Sequence, residues 1–114
     1  MAGEVTIHVV DITRGLPAVG MPVEIYALRV ERQKMVSDFL NGEGVLTTEA
    51  TDFPRGFYEV VFHVGQFFRS EGVELPDPPF LGEVPFRFAI AEPNSEYRLR
   101  MNVTPWGFSI FRER

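Results

Sequence analysis

The sequence predicts an all-β fold: a two-sheet antiparallel sandwich of about eight short strands with one short helix. Three observations carry that expectation. Apolar and polar residues alternate in short runs, the period of a strand with one buried face. Glycine, proline and asparagine clusters separate these runs at hairpin spacing. Only one stretch, Gly65 to Gly72, offers room for a helix.

Taken in order, Thr6 to Asp11 alternates around a β-branched run and reads as a strand, broken by Arg14-Gly15-Leu16-Pro17. Pro22 to Leu28 alternates again, with Val23, Ile25 and Ala27 on one face, and Val30 to Phe39 continues as a third strand. Asn41-Gly42-Glu43-Gly44 is a turn, because asparagine and glycine tolerate positive φ. Val45 to Thr48 is a short strand. After Pro54-Arg55-Gly56 comes the most strand-like run, Phe57 to Val64. The proline-rich segment from Leu75 to Pro79 is loop. Val84 to Ile90, Tyr97 to Val103 and Phe108 to Phe111 complete the strands, with turns at Ala91 to Asn94 and Thr104 to Gly107. Trp106 and the many phenylalanines are expected in the core.

The composition sets bounds on function. The 114 residues, 45% of them hydrophobic and 24% charged, suit one globular domain over residues 1–114. A net charge of -5 argues against general nucleic-acid binding. No apolar stretch approaches the roughly 20 residues that span a bilayer, and no signal peptide is visible, so a cytoplasmic protein is expected. The absence of cysteine excludes disulfides and thiol catalysis. Two histidines far apart give no metal-ligand spacing, and no phosphate-cradling loop is present; no metal or cofactor is expected. Charge is unevenly spread. Residues 98–114 carry four arginines and one glutamate, whereas the 97 residues before them carry 7 basic and 15 acidic side chains. That C-terminal excess is either a solvated strand or a local anion site.

Several segments, in order, resemble one family. His8-Val9-Val10-Asp11 with Arg14-Gly15-Leu16-Pro17-Ala18 resembles the first signature of the 5-hydroxyisourate hydrolases. Tyr58 to Gly65, running into Gln66-Phe67-Phe68-Arg69, resembles the strand and helix at the family's centre. Pro79-Phe80-Leu81 with Val84 to Phe88 resembles the next strand, and Thr104-Pro105-Trp106-Gly107-Phe108-Ser109 resembles the last signature. The resemblance covers nearly the whole chain. It implies a transthyretin-like sandwich, assembled as a homotetramer that is a dimer of dimers, with channels where the dimers meet. In the hydrolases those channels open the ring of a urate oxidation product; in transthyretin they bind a hormone.

The resemblance also implies site positions. His8 matches the histidine that the hydrolases place in the first strand. Val45 stands where they have an arginine, and Arg98 where they have a second histidine. Their closing Tyr-Arg-Gly-Ser is here Phe111-Arg112-Glu113-Arg114. Strand alternation puts Arg98, Arg100 and Asn102 on one face of their strand, opposite Tyr97, Leu99, Met101 and Val103. It puts Thr6, His8 and Val10 on one face of the first strand. If the family assembly holds, these polar faces line the channel. Clustered arginines there call for an anion, or for bridging acidic residues.

Two functions follow. One is a 5-hydroxyisourate hydrolase-like enzyme acting on a small anionic cyclic ureide or amide. In it His8 is the base, Arg98 or Arg100 is the electrostatic partner, and Asn102, Ser109, Val45, Phe111 and Arg112 contact the ligand. The other is a non-catalytic transthyretin-like module that binds a small ligand. His63, at a strand-to-helix junction, is read as structural.

Overall fold

In the first strand, β1 (Glu4–Asp11), every second residue is buried: Val5, Ile7, Val9 and Asp11 face inward, and Glu4, Thr6, His8 and Val10 face outward. The same rule organises the computed structural model, which describes residues 4–48 and 53–113. After β1 come β2 (Leu16–Pro17), β3 (Pro22–Leu28), β4 (Arg32–Phe39), β5 (Val45–Thr47) and β6 (Gly56–His63). The single helix among the described residues, α1 (Val64–Ser70), precedes β7 (Glu83–Ile90), β8 (Glu96–Thr104) and β9 (Gly107–Glu113). Arg114 lies outside the described residues.

The strands form two sheets. One runs β2-β1-β8-β9, with β5 also pairing β1; the other runs β4-β3-β6-β7. Their inner faces enclose a core that includes Ile7, Val9, Ile25, Val60, Phe62, Leu99 and Met101, all nearly inaccessible to water. Phe67 and Phe68 of α1 close one end, packed edge to face. Each such side chain contributes about 1.5–3 kcal/mol by leaving water.

The sandwich and the single helix match the expectation from the sequence. Several details differ. β1 and β8 pair in parallel, from Glu4 with Glu96 to Asp11 with Val103, because the chain between them crosses to the other sheet and back. β2 is a two-residue strand absent from the sequence reading, made when the turn after β1 folds back onto Val10 and Asp11. β4 starts at Arg32, since Val30 is fully exposed in the preceding bend. The helix stops at Ser70. Gly72, at φ +80, lies beyond it, and its N–H is held by the Arg69 carbonyl. Trp106 and several phenylalanines are not core residues. Trp106 is exposed in the β8–β9 turn against Phe80, and Phe39 and Phe57 project from strand ends. The sandwich has inward room only for alternate strand positions, so aromatic residues at turns and strand ends stay outside.

One buried charge fixes the turn that follows β1. The Asp11 carboxylate is inaccessible, takes the Thr13 N–H and hydroxyl on one oxygen, and pairs at 2.8 Å with Arg14 Nε on the other. Burial alone would raise its pKa, but the hydrogen bonds from Thr13 and Arg14 outweigh that and hold it below the usual carboxylate range. Asp11→Ala is expected to cost about 1–3 kcal/mol, because the turn loses the charged acceptor that holds Thr13 and Arg14. Urea denaturation measures this, and a loss below about 0.5 kcal/mol, the size of an ordinary surface change, would show that the turn does not depend on the carboxylate.

Candidate functional site

The register of the first sheet assembles the predicted residues. Side chains of residues directly opposite across a strand pair share a face and stand about 5 Å apart. His8 lies opposite Val45 on β5 and Arg100 on β8, and Arg100 lies opposite Phe111 on β9. One neighbouring row runs Thr47, Thr6, Arg98, Glu113; the other runs Val10, Asn102, Ser109. The outward face therefore brings together His8, Val45, Arg98, Arg100, Asn102, Ser109 and Phe111.

Arg112 is not brought to this group. It lies opposite Leu99, on the other face of the sheet. There its guanidinium stacks 4.1 Å from the Tyr97 ring centroid and donates to the Glu96 carbonyl.

The turn before β5 sets Val45 beside His8. Asn41 Oδ1 accepts the N–H groups of Glu43 and Val45, and Gly44 adopts φ +72. A Cβ on Gly44 would sit 2.7 Å from the Val9 carbonyl oxygen, so the turn can lie this close to β1 only with glycine there. The Gly44 carbonyl accepts the Val9 N–H at 3.0 Å, which ties the turn to the strand that carries His8. Together with β2 the turn encloses a cleft of about 470 Å³ next to His8, whose lining includes Leu16, Pro17, Glu43 and Val45. The sequence reading did not assign Glu43, Leu16 or Pro17 to the site; the only signals were the place of Leu16 and Pro17 in the segment that resembles the family's first signature and that of Glu43 in the turn before Val45. Neither Arg98 nor Arg100 lines this cleft. Arg98 opens onto a separate one of about 320 Å³, shared with Glu96, Arg112 and Glu113.

The arginines on the face have acidic partners. Arg98 Nη2 is 3.0 Å from Glu96 Oε2, and Arg100 Nη1 is 3.7 Å from Glu113 Oε2. Arg100 Nε also donates to Asn102 Oδ1 at 3.4 Å. Each of the two arginines thus has its own acidic neighbour, and Glu4 adds another acid opposite Glu96. The outward face is thus close to electrically balanced.

His63 lies on the other sheet. Its Nε2 is 3.0 Å from Glu24 Oε1, and Lys34 Nζ is 3.0 Å from the second oxygen of the same carboxylate. The hydrogen bonds from His63 and then Lys34 push the Glu24 pKa down to about 2.

The two-sheet sandwich with one short helix among the described residues gives the fold class of the protein. Residues 5–113 match the HIUase/Transthyretin family, and the chain belongs to that family. It is 39% identical to 5-hydroxyisourate hydrolase 2 of Rhizobium meliloti, covering 97% of this chain and 96% of that protein. It is 32% identical to the 5-hydroxyisourate hydrolase of Pseudomonas aeruginosa, covering 96% and 90% of the two chains. Among solved structures it superposes on Klebsiella pneumoniae 5-hydroxyisourate hydrolase with a TM-score of 0.84, 25% identity and coverage of 98% and 99%. It also superposes on an (S)-allantoin synthase with a TM-score of 0.88 and 30% identity, and spans 44% of that longer chain.

Because the folded Glu24 pKa lies below its ordinary value of 4.5, its contribution to stability is complete above that value and is lost as pH falls toward 2. Glu24→Gln should therefore destabilise the protein at neutral pH and flatten the acid-induced loss in that window. Thermal melts across it test this; an unchanged pH profile would show that the pairing carries no stability.

Proposed function

We propose that the chain is a 5-hydroxyisourate hydrolase-like protein that opens a small, anionic cyclic ureide or amide on the His8 face. The observation that carries this reading is the row Val45–His8–Arg100–Phe111, which sets an imidazole beside a guanidinium on one outward face. Ring opening of a cyclic amide needs a base to activate water and a cation for the developing oxyanion. His8 suits the first role because a neutral imidazole nitrogen can accept a proton from an attacking water. Arg100 is the adjacent cation, Arg98 stands one row away, and Asn102 and Ser109 offer ligand hydrogen bonds. The named hydrolases among the relatives support the same reaction class.

A second reading, a non-catalytic transthyretin-like binding protein, is favoured by a separate observation. Val45 and Arg98 occupy the positions where the family resemblance implies an arginine and a histidine, and both face arginines already have carboxylate partners. The site is proposed to work in a cytoplasmic homotetramer, a dimer of dimers, in which a second dimer covers the His8 face and makes it a channel. Exposed Leu16 and Phe111 on or beside that face are consistent with being covered.

The deciding experiment is turnover of freshly generated 5-hydroxyisourate by wild type and His8→Ala. Wild type is expected to be slow, since each missing positioned group typically costs about 100-fold, and His8→Ala should remove the remaining activity. Val45→Arg combined with Arg98→His should raise kcat/KM by about 100-fold or more. Wild-type turnover that is unaffected by His8→Ala would exclude this site, and no turnover by any variant would favour the binding reading.

Assembly is tested separately. Multi-angle light scattering at micromolar concentration should give the mass of four chains, and a monomer would refute the channel.

A further inference from the structure

Glu113 occupies an unusual place on the His8 face. It ends β9 and lies opposite Arg98 in register, yet its Oε2 is 3.7 Å from Nη1 of Arg100, the arginine beside His8. Another carboxylate–arginine group in the molecule shows what a permanent structural pair looks like here. Glu59, with only 7% of its side chain exposed, takes Arg32 Nη2 at 2.6 Å and Arg87 Nε at 3.0 Å, one guanidinium on each oxygen. Glu113 is 37% exposed, Arg100 is 30% exposed, and one longer contact joins them. Partly solvated pairs of this kind are weak and open readily, whereas desolvated, multiply bonded ones do not.

We propose that Glu113 is a specificity-determining residue of the His8 face. Its carboxylate is a resident counter-ion for Arg100, and an anionic ligand must displace it to reach that guanidinium. The proposal rests on the reading that this face is the ligand site. It follows that an anion binds Arg100 less tightly while Glu113 is ionised, and that a dianion loses more than a singly charged ligand, because the same carboxylate repels twice the charge. Glu113 thus biases the site toward singly charged ligands and against dianions. Asn102 also accepts from Arg100 Nε, at 3.4 Å.

The test uses malonate, a small dicarboxylate, and acetate as probes in calorimetric titrations of the full chain. Glu113→Gln is expected to bind malonate roughly three- to tenfold more tightly than wild type, the equivalent of freeing one partly exposed ion pair. Binding should also weaken more steeply with added salt. The gain should vanish in Glu113→Gln/Arg100→Ala, and acetate affinity should change less than malonate affinity. Glu113→Ala should reproduce the direction, with melting temperature confirming that each variant is folded. The proposal is overturned if Glu113→Gln binds malonate no tighter than wild type, including the case in which neither binds. It is also overturned if the gain persists without Arg100. These outcomes are independent of turnover: a protein that opens no ring still passes or fails on the malonate difference, and an active one does so equally.

Discussion

The structure depends on β1 satisfying two demands at once. It is hydrogen-bonded on both sides, to β8 along its full length and to β2 and β5 on the other edge. Its alternate residues must also fill the core. Ile7 and Val9 are inaccessible while Thr6, His8 and Val10 face out. A slip of one residue would bury His8 and expose Ile7, so the register that packs the core also builds the site. The same holds on β8, where Leu99, Met101 and Val103 are buried and Arg98, Arg100 and Asn102 are their outward alternates.

Local chemistry on either side of β1 protects that register. The buried Asp11 carboxylate binds Thr13 and Arg14 and turns the chain into β2. Arg14 also reaches Glu71 just after the helix, at 3.0 Å, linking the turn to the helical end of the sandwich. Gly44 lets the 41–45 turn approach the Val9 carbonyl more closely than any side chain would allow. These two devices shape the cleft beside His8, one through a side-chain carboxylate and the other through backbone geometry.

Electrostatics divides the molecule into two kinds of ion pair. On the outer face of the second sheet, Glu59 is desolvated between two arginines, and Glu24 is shared by His63 and Lys34. These contacts are short and stiffen the sheet. On the His8 face the carboxylates are more open to water, and Arg100 holds Glu113 through a longer contact. A face with exchangeable charges accommodates a ligand at small cost, because the protein gives up only weak interactions when the ligand arrives. In the proposed reaction His8 is the histidine that the family resemblance implies, and the β8 arginines are the cations set beside it by register.

The sequence alone determined the alternation, and with it most of the strands, the core faces and the grouping of Arg98 with Arg100 and Asn102. It also carried the family, through signatures at His8 to Ala18 and Thr104 to Ser109. These are local properties: a pleated strand alternates whatever it pairs with. Only the tertiary structure decided that β1 lies beside β8, in parallel, with His8 opposite Arg100, because that pairing joins segments some ninety residues apart through hydrogen bonds that leave no trace in local pattern. It turned Arg112 onto the other face against Tyr97, brought Glu96 and Glu113 to the arginines, and placed Glu43 in the His8 cleft. Each of those outcomes depends on register between strands and on where a flexible side chain finds its counter-charge, and neither is encoded in the period of a single strand.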